Sequence, residues 1–200
     1  MFTRINYLLL ILVLISTACS KSSESDLADQ YFKQGNYDKA ITSYNAFLKL
    51  DPENVKSIYN RGRAYEELGK FNEAISDYQS VLEIDPVNVN ANLSIGKNFY
   101  REKEYDKASL FFDKVTKSDS ENYTAHFFKG RALSKMGLLK DALESYNHAI
   151  NVNKNYGDAY FSRATLYRYL KNNKKACNDF KLAKALGIKE AKTALDRYCK

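Results

Sequence analysis

Apolar and polar positions along this chain recur with helical spacing, and the pattern itself returns after 34 residues. In Val55–Asn88 (VKSIYNRGRAYEELGKFNEAISDYQSVLEIDPVN), the positions Ile58, Gly62, Tyr65, Gly69, Ala74, Tyr78 and Pro86 mark two helices around a tight turn. The same register gives five copies, 21–54, 55–88, 89–122, 123–156 and 157–190, with no insertion or deletion. A small residue late in each copy reads Ala40, Ala74, Ala108, Ala142 and Ala176, and four residues on stands Tyr44, Tyr78, Phe112, Tyr146 or Phe180. On the first helix the small residue is Ala28, Gly62, Gly96, Gly130 or Ala164. Small residues let paired helices approach, and aromatics fill the space between them.

The helix ends follow the same period. Asp51-Pro52 and Asp85-Pro86 stop the second helix of the first two copies, because a residue before proline is pushed out of the α region. Gly35, Gly69 and Gly137 mark the inner turn, where a left-handed residue is cheapest. Copies three and five carry Lys103 and Lys171 there, and Ser120, Lys154 and Ile188 stand where the proline is lost. After Gly187, the residues Ala191, Ala194, Leu195, Tyr198 and Cys199 form a one-sided apolar stripe over 191–200, a capping helix. Eleven helices are predicted: two per copy and the cap.

The start of the chain differs in kind. Arg4 is followed by the apolar run Tyr7–Ile15 and then by Ser16-Thr17-Ala18-Cys19. That run is too short to cross a bilayer as a comfortable helix. Residues 1–18 read as a secretory signal peptide. Ending on Ala18-Cys19, they resemble a bacterial lipoprotein leader, with Cys19 as the lipidated first residue of a short mature start, 19–20. Ser16 departs from the branched aliphatic residue usual there, and a plain secreted protein is the alternative. The expected location is the bacterial cell envelope, lipid-anchored, at an outer-membrane or periplasmic face.

Composition adds exclusions. Apolar residues at 44% and charged residues at 28% are those of an ordinary globular chain. Loss of residues 1–18 removes only Arg4 and lowers the formal charge of +7 by one, too mild and dispersed to argue for nucleic acid. There is no Gly-rich phosphate loop and no recognisable nucleophile set, so no enzyme activity and no cofactor are expected. His126 and His148 lie on different predicted helices and read as satisfied or solvated, not as metal ligands. Cys177 takes a position held by Ile41, Ile75 and Leu143 in other copies, and Cys199 lies on the cap's stripe. In an oxidising compartment the two are expected to form a disulfide; two buried thiols are the alternative.

With its 34-residue period and its small and aromatic positions, the stretch 21–190 resembles the tetratricopeptide repeats. The resemblance implies an all-α fold, a right-handed α-α superhelix (solenoid) of five helix pairs closed by the C-terminal cap. It also implies a concave groove lined by first helices. One set of groove positions reads Tyr59, Leu93, Phe127 and Phe161 in copies two to five. Four residues on, the cations are Arg63, Lys97 and Arg131 in copies two to four. Tyr100, Arg101, Lys135, Arg168 and Tyr169 occupy neighbouring positions, and the acids Asp29, Glu66, Glu67 and Asp158 oppose them. A basic, aromatic-lined groove suits a protein or peptide partner with carboxylates and apolar side chains. Simply solvated groove positions are the alternative. The expected function is a membrane-tethered interaction scaffold, with a non-catalytic accessory subunit of an envelope enzyme complex as the second reading.

Overall fold

The computed structural model describes residues 24–199; the expected leader 1–18, Cys19 and the first residues of copy one lie outside them. The first helix, α1, covers 24–33. After it come α2 (Tyr37–Leu48), α3 (Val55–Glu67), α4 (Phe71–Ile84), α5 (Val89–Arg101) and α6 (Tyr105–Ser118). The chain continues through α7 (Tyr123–Lys135), α8 (Leu139–Val152), α9 (Gly157–Tyr169), α10 (Asn173–Ala185) and α11 (Lys189–Tyr198). No strand occurs among the described residues. The architecture is all-α, built from consecutive packed helix pairs as the repeat pattern predicts.

The spacing of small and aromatic residues acts as the sequence suggests. A methyl group added at Gly62 would lie 2.8 Å from the Tyr78 ring, and one at Gly96 would lie 2.6 Å from Phe112. In copies two to four the two helices therefore touch through a ring laid on bare backbone, a contact closer than a side chain allows. Tyr44, Tyr78, Phe112 and Phe180 are fully buried or nearly so.

Inner turns keep one geometry despite their changed residues. Lys103 and Lys171 adopt φ of 65° and 60°, the region that Gly35, Gly69 and Gly137 also occupy. In each case the following amide reaches back to close the helix: Glu104 N–H donates to Phe99 at 2.9 Å, and Asn172 N–H to Tyr167 at 2.8 Å.

Between copies the chain uses a device that proline does not explain. Asn54, Asn88 and Asn122 each accept a hydrogen bond from the amide three residues on, at 3.0, 3.1 and 3.0 Å, capping α3, α5 and α7. The same side chains donate backwards to Asp51, Asp85 and Asp119. Copy three keeps this Asp-x-x-Asn box although Ser120 replaces the proline, which is why its boundary holds.

The described residues form two compact units, one ending at Ala91 and the other beginning at Asn92. In the first, Tyr44, Phe47, Ile58, Tyr78 and Val81 are buried. In the second, Ala108 and Phe112 pack with Ala132, and a larger cluster gathers Phe127, Tyr146, Ile150, Tyr160 and Leu166. Ala164, Ala176, Phe180 and Ala194 join α9, α10 and the cap.

Candidate functional site

Within the second unit, α5, α7, α8 and α9 enclose an open cavity of about 600 Å³. Tyr100, Arg131, Lys135, Phe161, Thr165 and Tyr169 form its wall, with Tyr146, Ser162, Leu139 and Leu166 contributing deeper surface. Among the described residues that line it, none is acidic. Arg131 lies over three rings, 4.7 Å from the centroid of Tyr100, 5.6 Å from Phe128 and 5.7 Å from Phe127. Cation–π contact holds the guanidinium in one place while its charge still faces the cavity. Burial pushes the Tyr146 phenol well above its ordinary pKa, and Arg131 and a hydrogen bond with Ser162 pull the other way. Burial likewise pushes Tyr156, beside this wall, up to about 12, so both phenols stay neutral donors.

Of the expected groove residues, Tyr100, Arg131, Lys135 and Phe161 are brought together here. Phe127 is a correction. It is 5% exposed, with Tyr156 edge-on at 4.9 Å, so it belongs to the core and leaves no face for a partner. The sequence missed this because Tyr156, the residue before α9, folds over Phe127. Leu93, Lys97, Arg101 and Arg168 are not brought to the cavity. Leu93 packs against the Ala108–Phe112–Ala132 cluster, and Lys97 lies over the outer ring of Phe128 at 5.1 Å. Arg101 is exposed and donates to the Asn98 side chain; Arg168 stacks on Tyr198 of the cap at 4.2 Å.

Tyr59 and Arg63 belong to the first unit. Tyr59 packs 5.3 Å from Tyr78, and the exposed Arg63 lies over Phe32 at 4.6 Å. Two of the acids expected to oppose them, Asp29 and Glu66, are engaged internally. Asp29 accepts from Tyr44, Lys56 and Asn60 at 2.5, 2.7 and 3.1 Å. Burial pushes its carboxyl up, but those hydrogen bonds and the Lys56 charge outweigh that and hold it below the usual range. Glu66 accepts from Tyr78 at 2.8 Å.

Ser162 is one of the cavity residues, with Ser134, Leu139 and Leu166, that the groove pattern passed over. Its signal was available, since it sits one residue after Phe161 where copy four carries the aromatic Phe128. A smaller side chain there opens space beside Tyr146.

Two further pairings lie outside the cavity. His126 and His148 stack with ring centroids 5.1 Å apart, a proximity that their separate helices did not disclose. His126 Nε2 donates to the Ser120 carbonyl at 2.9 Å. Among the described residues, no three His, Cys, Asp or Glu are placed to hold a metal ion. Cys177 and Cys199 are joined through their sulfurs, with Cα atoms 5.7 Å apart, tying α10 to the end of α11.

Stacked helix hairpins with an open, partly apolar pocket define the class of repeat interaction scaffolds. Residues 28–69 match the family described as TPR repeat, and 55–88 and 123–156 each match Tetratricopeptide repeat. Tetratricopeptide repeats are thus matched over 28–88 and 123–156, and the last two matches coincide with copies two and four. No curated protein matches it by sequence. A solved structure described as MamA protein is 25% identical, covers 86% of this chain and 94% of its own, and superimposes with a TM-score of 0.75. MamA 41-end from Desulfovibrio magneticus RS-1 covers 83% of this chain and 94% of its own with a TM-score of 0.77. At 16% identity, that likeness is one of fold alone.

Proposed function

We propose that this chain is a non-catalytic interaction scaffold whose α7–α9 cavity holds a peptide segment of a protein partner, with carboxylates beside apolar side chains. The lining carries this reading: Arg131 fixed among aromatic rings, Lys135 beside it, and no acid among the described residues that face them. A guanidinium offers paired donors to a carboxylate, and a site walled by Tyr100, Phe161 and Tyr169 gives rigid contact area at small entropic cost. The tetratricopeptide matches and the MamA-like fold support the scaffold part. The leader-like residues 1–18 support placement in the cell envelope through a lipid on Cys19, which mass spectrometry of the mature N-terminus tests.

A photo-crosslinking side chain at the exposed, cavity-lining Thr165 tests the site itself in intact cells. One partner is expected to be captured, and Arg131→Gln plus Lys135→Gln should abolish the adduct while leaving helical circular dichroism intact. An adduct unaffected by the double variant rejects this cavity as the site.

A further inference from the structure

One edge of the second unit has a character that the cavity does not account for. It is made by the α7–α8 turn and the α9–α10 turn, which come together because residues flanking both line the same cavity. Four large apolar side chains stand out from it: Met136 at 41%, Leu138 at 44%, Leu170 at 43% and Tyr169 at 72% exposure. Each sits in or beside a turn, where no neighbouring helix face covers it.

The charge around these side chains is all of one sign. Residues 133–140 (LSKMGLLK) and 165–175 (TLYRYLKNNKK) hold six cations and no acid. The nearest acids along the chain are Asp141, one residue into α8 from Lys140, and Asp158 and Asp179 at either end of the second stretch. Asp179 is bound to Arg163. One copy earlier, the matching turn reads Glu102-Lys103-Glu104, so the basic, apolar edge is confined to the last two turns.

Arg168 stacks on Tyr198 and Lys175 lies over the Tyr167 ring at 5.3 Å, but fold stability does not explain where Lys140, Lys171 and Lys174 sit. Lys174 and Lys175 are in the first turn of α10, which has no acidic residue, and Lys140 is in the first turn of α8. A cation there opposes the positive end of the helix dipole. Such positions cost the helix something and therefore call for a reason outside it.

Exposed Leu, Met and Tyr at turn tips ringed by lysines have the chemistry of an interfacial membrane contact. The apolar tips enter the headgroup boundary, and each lysine near an anionic surface adds attraction. We propose that this edge docks on an anionic phospholipid bilayer, with Met136, Leu138 and Leu170 inserting and Lys140, Lys171 and Lys174 facing the headgroups. The edge would hold the cavity's mouth close to the membrane whatever tether residues 1–23 provide.

The full chain contains no Trp, so Leu170→Trp gives a sole reporter at the edge itself, separate from any lipid contact by the apolar N-terminus. Vesicles of phosphatidylcholine mixed with phosphatidylglycerol should shift its emission to the blue, and brominated acyl chains should quench it. Vesicles of phosphatidylcholine alone should do neither. Adding Lys140→Gln and Lys174→Gln should lower the apparent partitioning about thirtyfold, from the attraction each lysine contributes. No quenching on anionic vesicles overturns the proposal, as does quenching that the two lysine substitutions leave unchanged. A blue shift produced by a glutamate-rich peptide but not by vesicles would make the edge a protein surface, and would equally overturn it.

Discussion

Arg163 grips Asp179 with two hydrogen bonds, from Nε at 2.7 Å and from a terminal nitrogen at 2.9 Å, and its third arm reaches Asn147 at 2.6 Å. One guanidinium on α9 thereby pins α10 and α8 at once. Three copies earlier, Arg61 does the same with Asp77 and Asn45, joining α3 to α4 and α2. The middle copies depart from this. Ile95 is buried at the arginine position of copy three, and Lys129 in copy four pairs with Asp113 at 2.6 Å. Asp179 is only 5% exposed, so its partner cannot be traded for water. Asp179→Ala should destabilise the chain by about 3–5 kcal/mol, because it leaves a half-buried guanidinium uncompensated. The apolar pair Arg163→Met plus Asp179→Leu should recover much of that loss, as read from urea unfolding followed by helical circular dichroism.

The bare backbone at Gly96 makes a second prediction. A methyl there meets Phe112 at 2.6 Å, and that ring is fully buried and cannot swing away. Gly96→Ala should therefore cost about 1–3 kcal/mol even though alanine is the better helix former. Phe112→Leu in the same chain should give back part of the cost. A double-mutant cycle on the unfolding free energies measures the coupling.

The period, the helix pairs and the ring-on-glycine contacts were legible because they depend on residue type at fixed spacing. The Asp-x-x-Asn boxes were equally present in the sequence, at Asp51/Asn54, Asp85/Asn88 and Asp119/Asn122, but proline drew attention away from them. The Arg–Asp–Asn staples were harder to see, since their members lie on three helices and recur in only two copies. The site was partly legible. Tyr100, Arg131, Lys135 and Phe161 follow from helical register, whereas the burial of Phe127 depends on where the Tyr156 ring falls, and the stacking of Arg168 depends on where the cap ends. Register places a residue on a face; neighbours in space decide whether that face is open.

Lys103 tests the turn geometry. At φ 65° its Cβ crowds the following carbonyl, a cost that glycine does not carry. Lys103→Gly should raise stability by about 0.5–1 kcal/mol, against the greater entropy of glycine in the unfolded chain. Gly137→Lys should lower it by a similar amount. Opposite signs for the two substitutions, measured by urea midpoint at equal m-value, would establish that copy three carries strain which copy four avoids.

Stability should also depend on pH through His126. Burial pushes its pKa below the ordinary value, and the charges of His148 and Lys129 add to that, although the bond to Ser120 and the charge of Glu121 work in the opposite sense. The folded state thus favours neutral imidazole. Above about pH 6.5 both states are unprotonated and stability is complete. As pH falls below that value the unfolded chain binds a proton that the folded chain resists, so stability declines. His126→Phe should flatten the decline below about pH 6.5. An unchanged slope in the variant would assign the pH dependence to other groups.

The Cys177–Cys199 bond closes a sequence separation of 22 residues and anchors the far end of a ten-residue helix. A helix that short does not persist unaided in water, and α11 is otherwise held by Ala191, Ala194, the half-buried Leu195 and the stacking of Arg168 on Tyr198. Reduction should lower the stability of the cap by about 3 kcal/mol, the loop-closure value for a ring of this size. The consequence reaches the cavity, because Phe161 packs against both the Ala164–Phe180–Ala194 cluster and the cavity wall. Hydrogen exchange should therefore show α11 amides losing protection under reductant or in Cys199→Ser, with α7 and α8 unaffected. The crosslink yield at Thr165 should fall in the same variant. Retained α11 protection would mean that the two alanines, Leu195 and the Arg168–Tyr198 stack hold the cap without the bond, and the disulfide would then have no part in shaping Phe161.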